Sequence, residues 1–372
     1  MRILQLSSAR TLGGGERHLI DLARGLSARG HEVHAALVPE SPLLAELSGV
    51  LPARNIHAFQ LRNSLDVVSA VRLARLLGDE GIRIVHAHMA RDYPLAALAA
   101  RRTPAARLVI TRHVLFPLSR VHRLALSNVA RVIAVSAAVA DALRAQNIFP
   151  VGKIRVVTNA IDVERFEHAA HVADRDSLRR DLQMRALCVV GSVGELSPLK
   201  GHADFVRAAA GVLQTHDRAV EFVIVGEDAS RDGRHRASLE KLISESGMNE
   251  RVRLLGRCAD VARILPALDV FVSASHSEAF GLATAEAMAC GVPVVTTATA
   301  GAGEIIEDGV NGRIVEVGDA GALAEAINEL LGDARLRHSL ATRARLTARE
   351  RFSLERMIAQ TERVYEEALE IE

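Results

Sequence analysis

The sequence predicts an α/β protein that consists of two doubly wound, Rossmann-like domains. Each half begins with the same series of elements: a strand, a glycine loop, a helix and a second strand. In the first half these are RILQLSS, TLGGGE, RHLIDLARGLSARG and EVHAALV, and in the second ALCVVGSVG, ELSPLKG, HADFVRAAAGVLQTH and AVEFVIVGE. The remaining predicted strands are continuous apolar runs, which is typical of parallel strands buried on both faces. A length of 372 residues suits two domains.

The first domain is predicted to span residues 1–165. Gly30 is expected to end its first helix, because glycine readily adopts the left-handed conformation. The apolar face of that helix comprises Leu19, Ile20, Leu22, Ala23 and Leu26. The strands IRIVHAH, RLVITRH, RVIAVS and IRVVTNA follow, and Asp66 and Ser136 stand where helix N-caps are expected.

The second domain is predicted to span residues 166–350. The boundary is marked by the segment 163–186, which loses the strand pattern and becomes polar. The strands of this half are VRLLG, DVFVSAS and VPVVTT, and Asp260 stands at an expected N-cap. Residues 351–372 are helical by their periodicity and could pack on either domain.

Charge is distributed unevenly along the chain. Residues 1–165 carry 22 Arg and Lys against 12 Asp and Glu, whereas the rest carries 24 against 33. A basic half suits an anionic surface or substrate, although a solvated face is an equally good explanation. An aromatic content of 3% with no Trp argues against a base-stacking platform, so we expect no nucleic acid partner.

We expect the protein to lie in the cytoplasm. Its apolar runs, such as PLAALAA, are much shorter than the ~18 residues of a membrane-spanning helix. The start of the chain, MRILQLSS, lacks the apolar stretch of a secretory signal. The three cysteines are widely spaced and form no CxxC pair, so we interpret Cys188, Cys258 and Cys290 as reduced and structural.

A glycine loop follows the first strand and contains Gly13, Gly14 and Gly15. Glycines here let the backbone turn tightly and let a phosphate approach the amides of the next helix. The loop does not match G-x-G-x-x-G, because Arg17 and His18 stand where the third glycine would be. A nicotinamide site is therefore not expected, and a turn without a ligand remains an alternative.

Three histidines stand at strand ends, with His86 and His88 at one strand and His113 at the next. Such a group raises the question of a metal. We expect residues along the strand to alternate between the two faces of the sheet, so that His86 and His88 do not face one site. No metal centre is therefore predicted. His113 is interpreted as a hydrogen-bonding or proton-transfer group, and His88 as packed.

The loop ELSPLKGH places Lys200 directly before a helix. A point charge beside free amides suits a diphosphate. In doubly wound sheets, ligands bind outside the carboxyl ends of the strands. Two such domains are therefore expected to form a cleft between these edges, with Lys200 in it.

The stretch SHSEAFGLATAEAMACG holds two carboxylates, Glu278 and Glu286, on either side of a glycine turn. It predicts a short helix that Gly291 ends. The amides of residues 280–282 fall in or before the first turn of that helix, where they could receive a phosphate. Solvated surface charge is the alternative for both glutamates.

Together these motifs resemble retaining glycosyltransferases of family 4, which have the two-Rossmann-domain fold called GT-B. GGGERHLIDLARGLSARGHEV is similar to the family's acceptor-side glycine loop, and VIAVSAAVADAL and VVTNAIDVERF to its end-of-domain segments. GSVGELSPLKGH is similar to its diphosphate loop, and GAGEIIEDGVNGRIV to its closing signature. The resemblance also includes E-x7-E with F-G and the following EAMACGVPVV, and it covers nearly the whole chain.

The resemblance implies a role for each matching residue. Glu278 would lie beside the transferred sugar, and His113 would bond that sugar. Glu286 would hold the ribose hydroxyls, and Lys200 would neutralise the diphosphate. No metal cofactor is implied, because lysine, arginine and helix amides neutralise the phosphates. The remaining donor contacts would come from Gly14, Gly15, Ala279, Phe280, Gly281 and Leu282.

One position departs from the family pattern. Where the family usually has Arg in a G-R-L run, this sequence has Gly194, Glu195 and Leu196. Losing a charge-assisted hydrogen bond costs about 1.5–3 kcal/mol, and an acid beside a diphosphate adds repulsion. Glu195 is therefore expected either to turn outward, with another arginine in the missing role, or to weaken or change donor binding.

The resemblance implies transfer of a hexosyl group from a nucleotide-diphosphate sugar, preferably a UDP-sugar, to an acceptor hydroxyl with retention at the anomeric carbon. A sugar or lipid-linked acceptor for cell-envelope polysaccharide or lipopolysaccharide would suit the basic and apolar segment 118–131, which could hold the protein at the inner membrane face. A cytosolic acceptor fits nearly as well. The alternatives are a nucleotide-sugar epimerase or phosphorylase on the same fold and a non-catalytic nucleotide-binding protein.

Overall fold

The computed structural model of the protein describes residues 1–60, 66–184, 186–216, 220–228, 230, 232–258 and 260–371. The chain forms two compact units, Met1–Ala160 with Leu354–Glu372, and Ile161–Ser353. Each unit contains a parallel sheet with connecting helices, so the predicted pair of doubly wound α/β domains is confirmed. Ala219 and Glu372, which begin and end two predicted elements, lie outside the described residues.

The first unit alternates strands with helices. In chain order its elements are β1 (Arg2–Ser7), α1 (Gly14–Ala28), β2 (Glu32–Leu37), α2 (Leu43–Ser48), β3 (Ile56–Ala58), α3 (Val67–Asp79), β4 (Ile84–Ala87), α4 (Tyr93–Arg102), β5 (Arg107–Arg112), α5 (His122–Ala125), β6 (Val129–Ala134), α6 (Ala137–Gln146) and β7 (Ile154–Val156). The described strands pair in parallel in the order β3-β2-β1-β4-β5-β6-β7. The direction of this order switches between β1 and β4, and doubly wound sheets bind ligands at such a point.

The second unit repeats this plan. Its elements are α7 (Val163–Val172), α8 (Arg175–Asp181), β8 (Cys188–Val193), α9 (His202–His216), β9 (Val220–Val225), α10 (Arg234–Glu245), β10 (Val252–Gly256), β11 (Val270–Ser273), α11 (Leu282–Ala289), β12 (Val294–Thr297), α12 (Ala302–Ile305), β13 (Arg313–Val315), α13 (Ala320–Gly332) and α14 (Ala334–Arg351). The strands that the structure describes follow the order β10-β9-β8-β11-β12-β13. The switch point therefore lies between β8 and β11.

The last helix, α15 (Leu354–Leu369), returns to the first unit. Its buried residues Met357, Ile358 and Tyr365 join the apolar core of that unit, together with Leu22 and Leu26 of α1. The sequence predicts this helix but not the domain that it joins, and the burial of its apolar face against α1 assigns it to the first unit. No helix among the described residues combines the length and the apolar character needed to cross a bilayer.

The chain leaves the first unit after Ala160 and returns to it at Leu354, whereas the boundaries predicted from the sequence are 165/166 and 350/351. Ile161 pairs with Ser353, and Val163 and Phe166 are buried in the core of the second unit. The polar character of the segment after residue 163 hid these two apolar positions from sequence reasoning.

Helix ends form as the sequence predicts. The side chains of Asp66 and Ser136 accept hydrogen bonds from amides three residues further on, at 3.0 and 3.2 Å. The carboxylate of Asp260 accepts from the amide of Ala262 at 3.0 Å and caps a short 3-10 turn. Gly30 and Gly291 follow the ends of α1 and α11 with φ of +82° and +68°, in the left-handed region that favours glycine.

Gly25 lies where α1 meets α15, and its missing side chain allows the contact. A Cβ atom on Gly25 would lie 2.0 Å from Cδ1 of Ile358. We expect Gly25→Ala to lower the free energy of unfolding by about 1–2 kcal/mol, because overpacking outweighs the gain in helix propensity. Urea denaturation measures this change.

Gly78 in α3 provides the matched control. A Cβ atom there would meet nothing within 4 Å, so Gly78→Ala is expected to raise the free energy of unfolding by about 0.5–1 kcal/mol. Equal effects of the two substitutions would contradict the proposed close packing of α1 on α15.

Candidate active site

The loops after β8 and β11 lie side by side because these two strands are neighbours in the second unit's sheet. Gly201 has φ of +61°, and a Cβ atom on it would lie 1.8 Å from the carbonyl oxygen of Ala274, so this approach requires glycine. The amide of His276 donates to the carbonyl oxygen of Leu199 at 2.8 Å. The two loops therefore form one surface at the carboxyl edge of the sheet.

An ion pair joins these loops. Lys200 Nζ lies 2.5 Å from Glu278 Oε1, and Ser275 Oγ donates to the same carboxylate oxygen at 3.1 Å. The Lys200 side chain is 27% exposed and that of Glu278 is 18% exposed, so both remain accessible. An ammonium group has three N–H donors. Lys200 can therefore bind an anion while it keeps Glu278 in place.

The start of α11 adds backbone donors next to this pair. Gly281 is the N-cap, with φ of +107°, and the first intrahelical hydrogen bond runs from the amide of Ala285 to the Gly281 oxygen at 3.1 Å. The amides of residues 282–284 precede that bond and carry the positive end of the helix dipole. The amide of Gly301 donates to the backbone carbonyl oxygen of Glu278 at 3.0 Å and fixes the loop that leads into α11.

The other predicted donor residues of this loop differ in exposure. The Phe280 ring is buried and packs edge-on against Phe352, with ring centroids 5.4 Å apart, so only its backbone borders the loop. Ala279 and Leu282 are half-buried. Glu286 is only 7% exposed. The alternative that Glu286 is a solvated surface charge is therefore wrong.

Glu195, the departure from the family pattern, is exposed, and Ser197 Oγ donates to its Oε1 at 3.2 Å. The backbone carbonyl group of Glu195, in contrast, contacts a buried side chain. His202 is buried, and its Nε2 lies 3.2 Å from the Glu195 carbonyl oxygen. Burial lowers the pKa of His202 to about 4. A neutral imidazole thus supports the loop that carries Lys200.

In the first unit, the predicted glycine loop meets one predicted histidine. Gly13 is the N-cap of α1, Gly14 begins the helix, and the Glu16 carboxylate accepts from the Gly13 amide at 2.9 Å. A Cβ atom on Gly15 would lie 3.4 Å from Cγ of His113. The first turn of α1 and the residue that follows β5 therefore contact each other at the carboxyl edge of this sheet.

The prediction that His86 and His88 do not face one site is wrong. Residues two apart on a strand share a face of the sheet, and the two ring centroids lie 4.1 Å apart. His88 also lies close to His113, with Nδ1 3.4 Å from Nε2 of the latter. Burial lowers the pKa of all three imidazoles well below the ordinary value. They are therefore neutral at physiological pH.

A buried polar network continues from these histidines, and the sequence analysis missed it. His88 Nε2 lies 2.7 Å from Gln5 Oε1, and Gln5 Nε2 donates to the Tyr365 hydroxyl at 3.3 Å. The same hydroxyl lies 2.7 Å from His86 Nδ1, and His86 Nε2 lies 2.7 Å from Thr111 Oγ1. No local signal marks this network, because α15 reaches it from the far end of the chain.

Three further polar residues meet at the switch point of the first unit. Asp92 is buried and accepts from the amide of Ser8 at 2.8 Å and from its hydroxyl at 2.5 Å. Arg91 donates to the hydroxyl and carbonyl oxygens of Ser8. Burial raises the pKa of Asp92, and the hydrogen bonds from Ser8 oppose that rise. The sequence does contain a signal for this cluster, because Ser8 follows β1 and Asp92 follows soon after β4, the two strands that flank the switch point.

Comparison with known proteins agrees with this fold. The family model for glycosyltransferase family 4 matches residues 12–165, and that for group 1 glycosyl transferases matches residues 176–347. A lipopolysaccharide core biosynthesis glycosyltransferase, LpsE of Rhizobium meliloti (strain 1021), is 30% identical over 92% of this chain and 93% of its own length.

Two more relatives also span nearly the whole chain. N-acetyl-alpha-D-glucosaminyl L-malate synthase of Bacillus anthracis is 27% identical over 96% of this chain and 95% of its own length. Anabaena HepE, whose crystal structure was solved in complex with UDP and glucose, is 25% identical in sequence to this chain. The two structures superpose with a TM-score of 0.84 over 98% of each chain. The fold is therefore GT-B, and the protein is a glycosyltransferase. The chain belongs to glycosyltransferase family 4.

The buried His202 predicts a pH dependence of stability. Its pKa of about 4 in the folded state lies below the usual ~6.5 of an unfolded chain. The unfolded state therefore binds more protons below pH 6.5, and stability is lost as the pH falls from about 6.5 towards 4. The slope contributed by this residue approaches about 1.4 kcal/mol per pH unit.

Urea denaturation at a series of pH values measures this slope, and His202→Gln is expected to reduce it. His18 has a similarly lowered pKa of about 4 through burial, so part of the slope is expected to remain. An unchanged slope in the variant would contradict the assignment to His202.

Proposed function

We propose that the protein transfers a hexosyl group from a UDP-sugar to an acceptor hydroxyl with retention at the anomeric carbon. The observation that carries this proposal is the Lys200–Glu278 pair beside the first amides of α11. Together they offer positive charge for a diphosphate and a carboxylate for the sugar attached to it. Binding of UDP and glucose by the similar HepE supports the choice of donor.

On the donor side, each group has a separate task. Lys200 and the amides of residues 282–284 would stabilise the diphosphate as its negative charge grows. Glu278 would orient the sugar and stabilise the oxocarbenium-like transition state. Glu286 would accept from the ribose hydroxyls at its small exposed edge. We propose that the transfer needs no resident metal, because these groups supply the required positive potential.

On the acceptor side, we propose that the loop with Gly14 and Gly15 contacts the donor and that His113 hydrogen-bonds the sugar. The bond between the anomeric carbon and the phosphate oxygen breaks, and the acceptor oxygen bonds to the same face of that carbon. The proton of the acceptor hydroxyl passes to the departing phosphate oxygen. The protein then contributes mainly orientation and charge stabilisation.

We expect Lys200→Ala and Glu278→Gln each to reduce turnover with the best donor by about 10- to 100-fold, because each removes a charge-assisted interaction of about 1.5–3 kcal/mol. The assay mixes the protein with UDP-, GDP-, ADP- and TDP-sugars and cell-envelope extract, and follows nucleotide release. The anomeric configuration of the product is then read by NMR.

Lys241→Ala and Glu245→Gln are the matched controls. They remove an exposed ion pair with 3.7 Å between Nζ and Oε1 in the same unit, on α10, and are expected to leave turnover unchanged. Nucleotide release without any acceptor would favour an epimerase. Nucleotide binding without release would favour a non-catalytic protein. Equal effects of the test and control variants on turnover would contradict the proposed site.

We also propose that the acceptor belongs to the cell envelope and that the protein binds the inner membrane face. The relationship to a lipopolysaccharide core biosynthesis glycosyltransferase supports this proposal. Around α5, Val121 is 78% and Leu124 is 81% exposed, and Arg120 and Arg123 are exposed beside them. Arg101 donates to the carbonyl oxygen of Leu124 at 3.0 Å and holds this turn. Apolar side chains with basic neighbours suit an anionic bilayer.

Vesicle co-sedimentation tests the membrane proposal. We expect binding to phosphatidylglycerol vesicles and little to phosphatidylcholine vesicles, because the patch is basic. Leu124→Asp should weaken the binding by about 10-fold or more, since burying a leucine contributes about 1.5–3 kcal/mol. Val68→Asp changes an exposed residue of α3 in the same unit and should have no effect. Equal binding of both variants would contradict a role for α5.

A further inference from the structure

Three imidazoles of the first unit meet where α1 faces the ends of β4 and β5. They belong to His18, His88 and His113, and their ligand nitrogens all lie within 4.8 Å of one another. His88 Nδ1 and His113 Nε2 are 3.4 Å apart. Two nitrogens on one tetrahedral Zn²⁺ are about 3.3 Å apart, given Zn–N distances of about 2.0–2.1 Å. One pair therefore already has the spacing of coordinated ligands.

We propose that His18, His88 and His113 form a binding site for a divalent transition metal, with Zn²⁺ as the preferred ion. Three neutral nitrogen ligands and a fourth position for water or another ligand are a common zinc arrangement. These histidines belong to the first unit, whereas the phosphate-binding groups proposed above belong to the second. It would bind a regulatory ion that transfer itself does not need.

The hydrogen bonds of His18 leave one ring nitrogen ready for a metal. Its Nδ1 lies 2.9 Å from Asn159 Oδ1, and an amide oxygen only accepts, so the proton is on Nδ1. The other nitrogen, Nε2, then carries a lone pair. Nε2 is buried and has no hydrogen-bond partner among the described residues. A buried acceptor without a partner costs free energy, and a cation at this position would remove that cost.

His88 is held in the same way. Its Nε2 lies 2.7 Å from Gln5 Oε1, and Gln5 is oriented by the hydrogen bond that its Nε2 donates to the Tyr365 hydroxyl at 3.3 Å. The lone pair of His88 is therefore on Nδ1, the atom that faces His113. Metal-binding histidines usually donate their second N–H to an oxygen in this manner, which orients the ring and fixes the tautomer.

His88 Nδ1 lies 3.4 Å from His113 Nε2. Because Nδ1 carries a lone pair, a hydrogen-bond donor or a cation must lie between the two nitrogens. In the metal-free protein that donor is the N–H group of His113. For a bound Zn²⁺ to use both nitrogens, the proton of His113 would move from Nε2 to Nδ1, which gives the other neutral tautomer of that ring. Metal binds to an unprotonated ring nitrogen.

The test uses the full-length protein after EDTA treatment and dialysis. Isothermal titration with Zn²⁺ and visible absorption with Co²⁺ are expected to show one equivalent per chain, with the d–d bands of a tetrahedral ion. His18→Gln and His113→Asn should each abolish this saturable binding. Gln5→Leu should weaken it by about 10- to 100-fold, because it removes the group that orients His88.

The control is His57→Gln, which alters the other histidine pair of this unit, where His34 Nδ1 lies 3.2 Å from His57 Nε2. It should keep the full affinity. Circular dichroism and thermal unfolding identify variants that fail to fold. If either His18→Gln or His113→Asn fails to fold, the other variant still tests the site. The proposal is overturned by the absence of one-equivalent binding, by binding that survives both ligand variants, or by its loss in His57→Gln.

A consequence for activity rests on the function proposed above. If His113 hydrogen-bonds the transferred sugar, Zn²⁺ at this site would inhibit transfer, and EDTA would restore it. The binding titration does not depend on activity. A protein without transferase activity that still binds one Zn²⁺ through these histidines would contradict the proposed function alone, whereas an active protein that binds none would contradict the metal site alone.

Discussion

Strand β11 pairs in parallel with β8, with Val270 opposite Val190 and Phe271 opposite Gly191. The chain runs from β8 outwards through β9 to β10 and then returns to the other side of β8. The loops after β8 and β11 therefore leave the same edge of the sheet next to each other. Gly191 permits this pairing, because a Cβ atom on it would lie 2.6 Å from both methyl carbons of Leu268. The ion pair between these loops depends on that approach.

The polar groups at the carboxyl edges of the two sheets differ in charge and burial. At the switch point of the second unit, Lys200 and Glu278 form an ion pair whose side chains are partly accessible, so a ligand can compete for either. In the first unit, burial keeps His88 and His113 neutral. His88 Nε2 pairs with Gln5, whereas the buried His18 Nε2 has no hydrogen-bond partner among the described residues. Buried neutral networks avoid the desolvation cost of charge but need nearly complete pairing.

Sequence reasoning identified the elements well because its signals were local. Apolar runs predicted the parallel strands, and single residues such as Asp66 and Gly30 predicted helix ends from their own backbone chemistry. It selected Lys200 and Glu278 as candidates but not as a pair, because they are 78 residues apart and strand order is not encoded locally. His18 was noticed only as a missing glycine, since its contacts with His113 depend on how α1 packs.

The charges of the second unit show why helix amides are essential to the proposed donor site. The loops after β8 and β11 contribute one cation, Lys200, against two acids, Glu195 and Glu278, so these side chains alone carry a net negative charge. A diphosphate would add further negative charge. Because Glu195 is exposed, water and salt screen its repulsion. The N-terminus of α11 adds a partial positive charge beside these loops. Donor binding as proposed would therefore depend on the glycine turn at Gly281, the N-cap at which α11 begins.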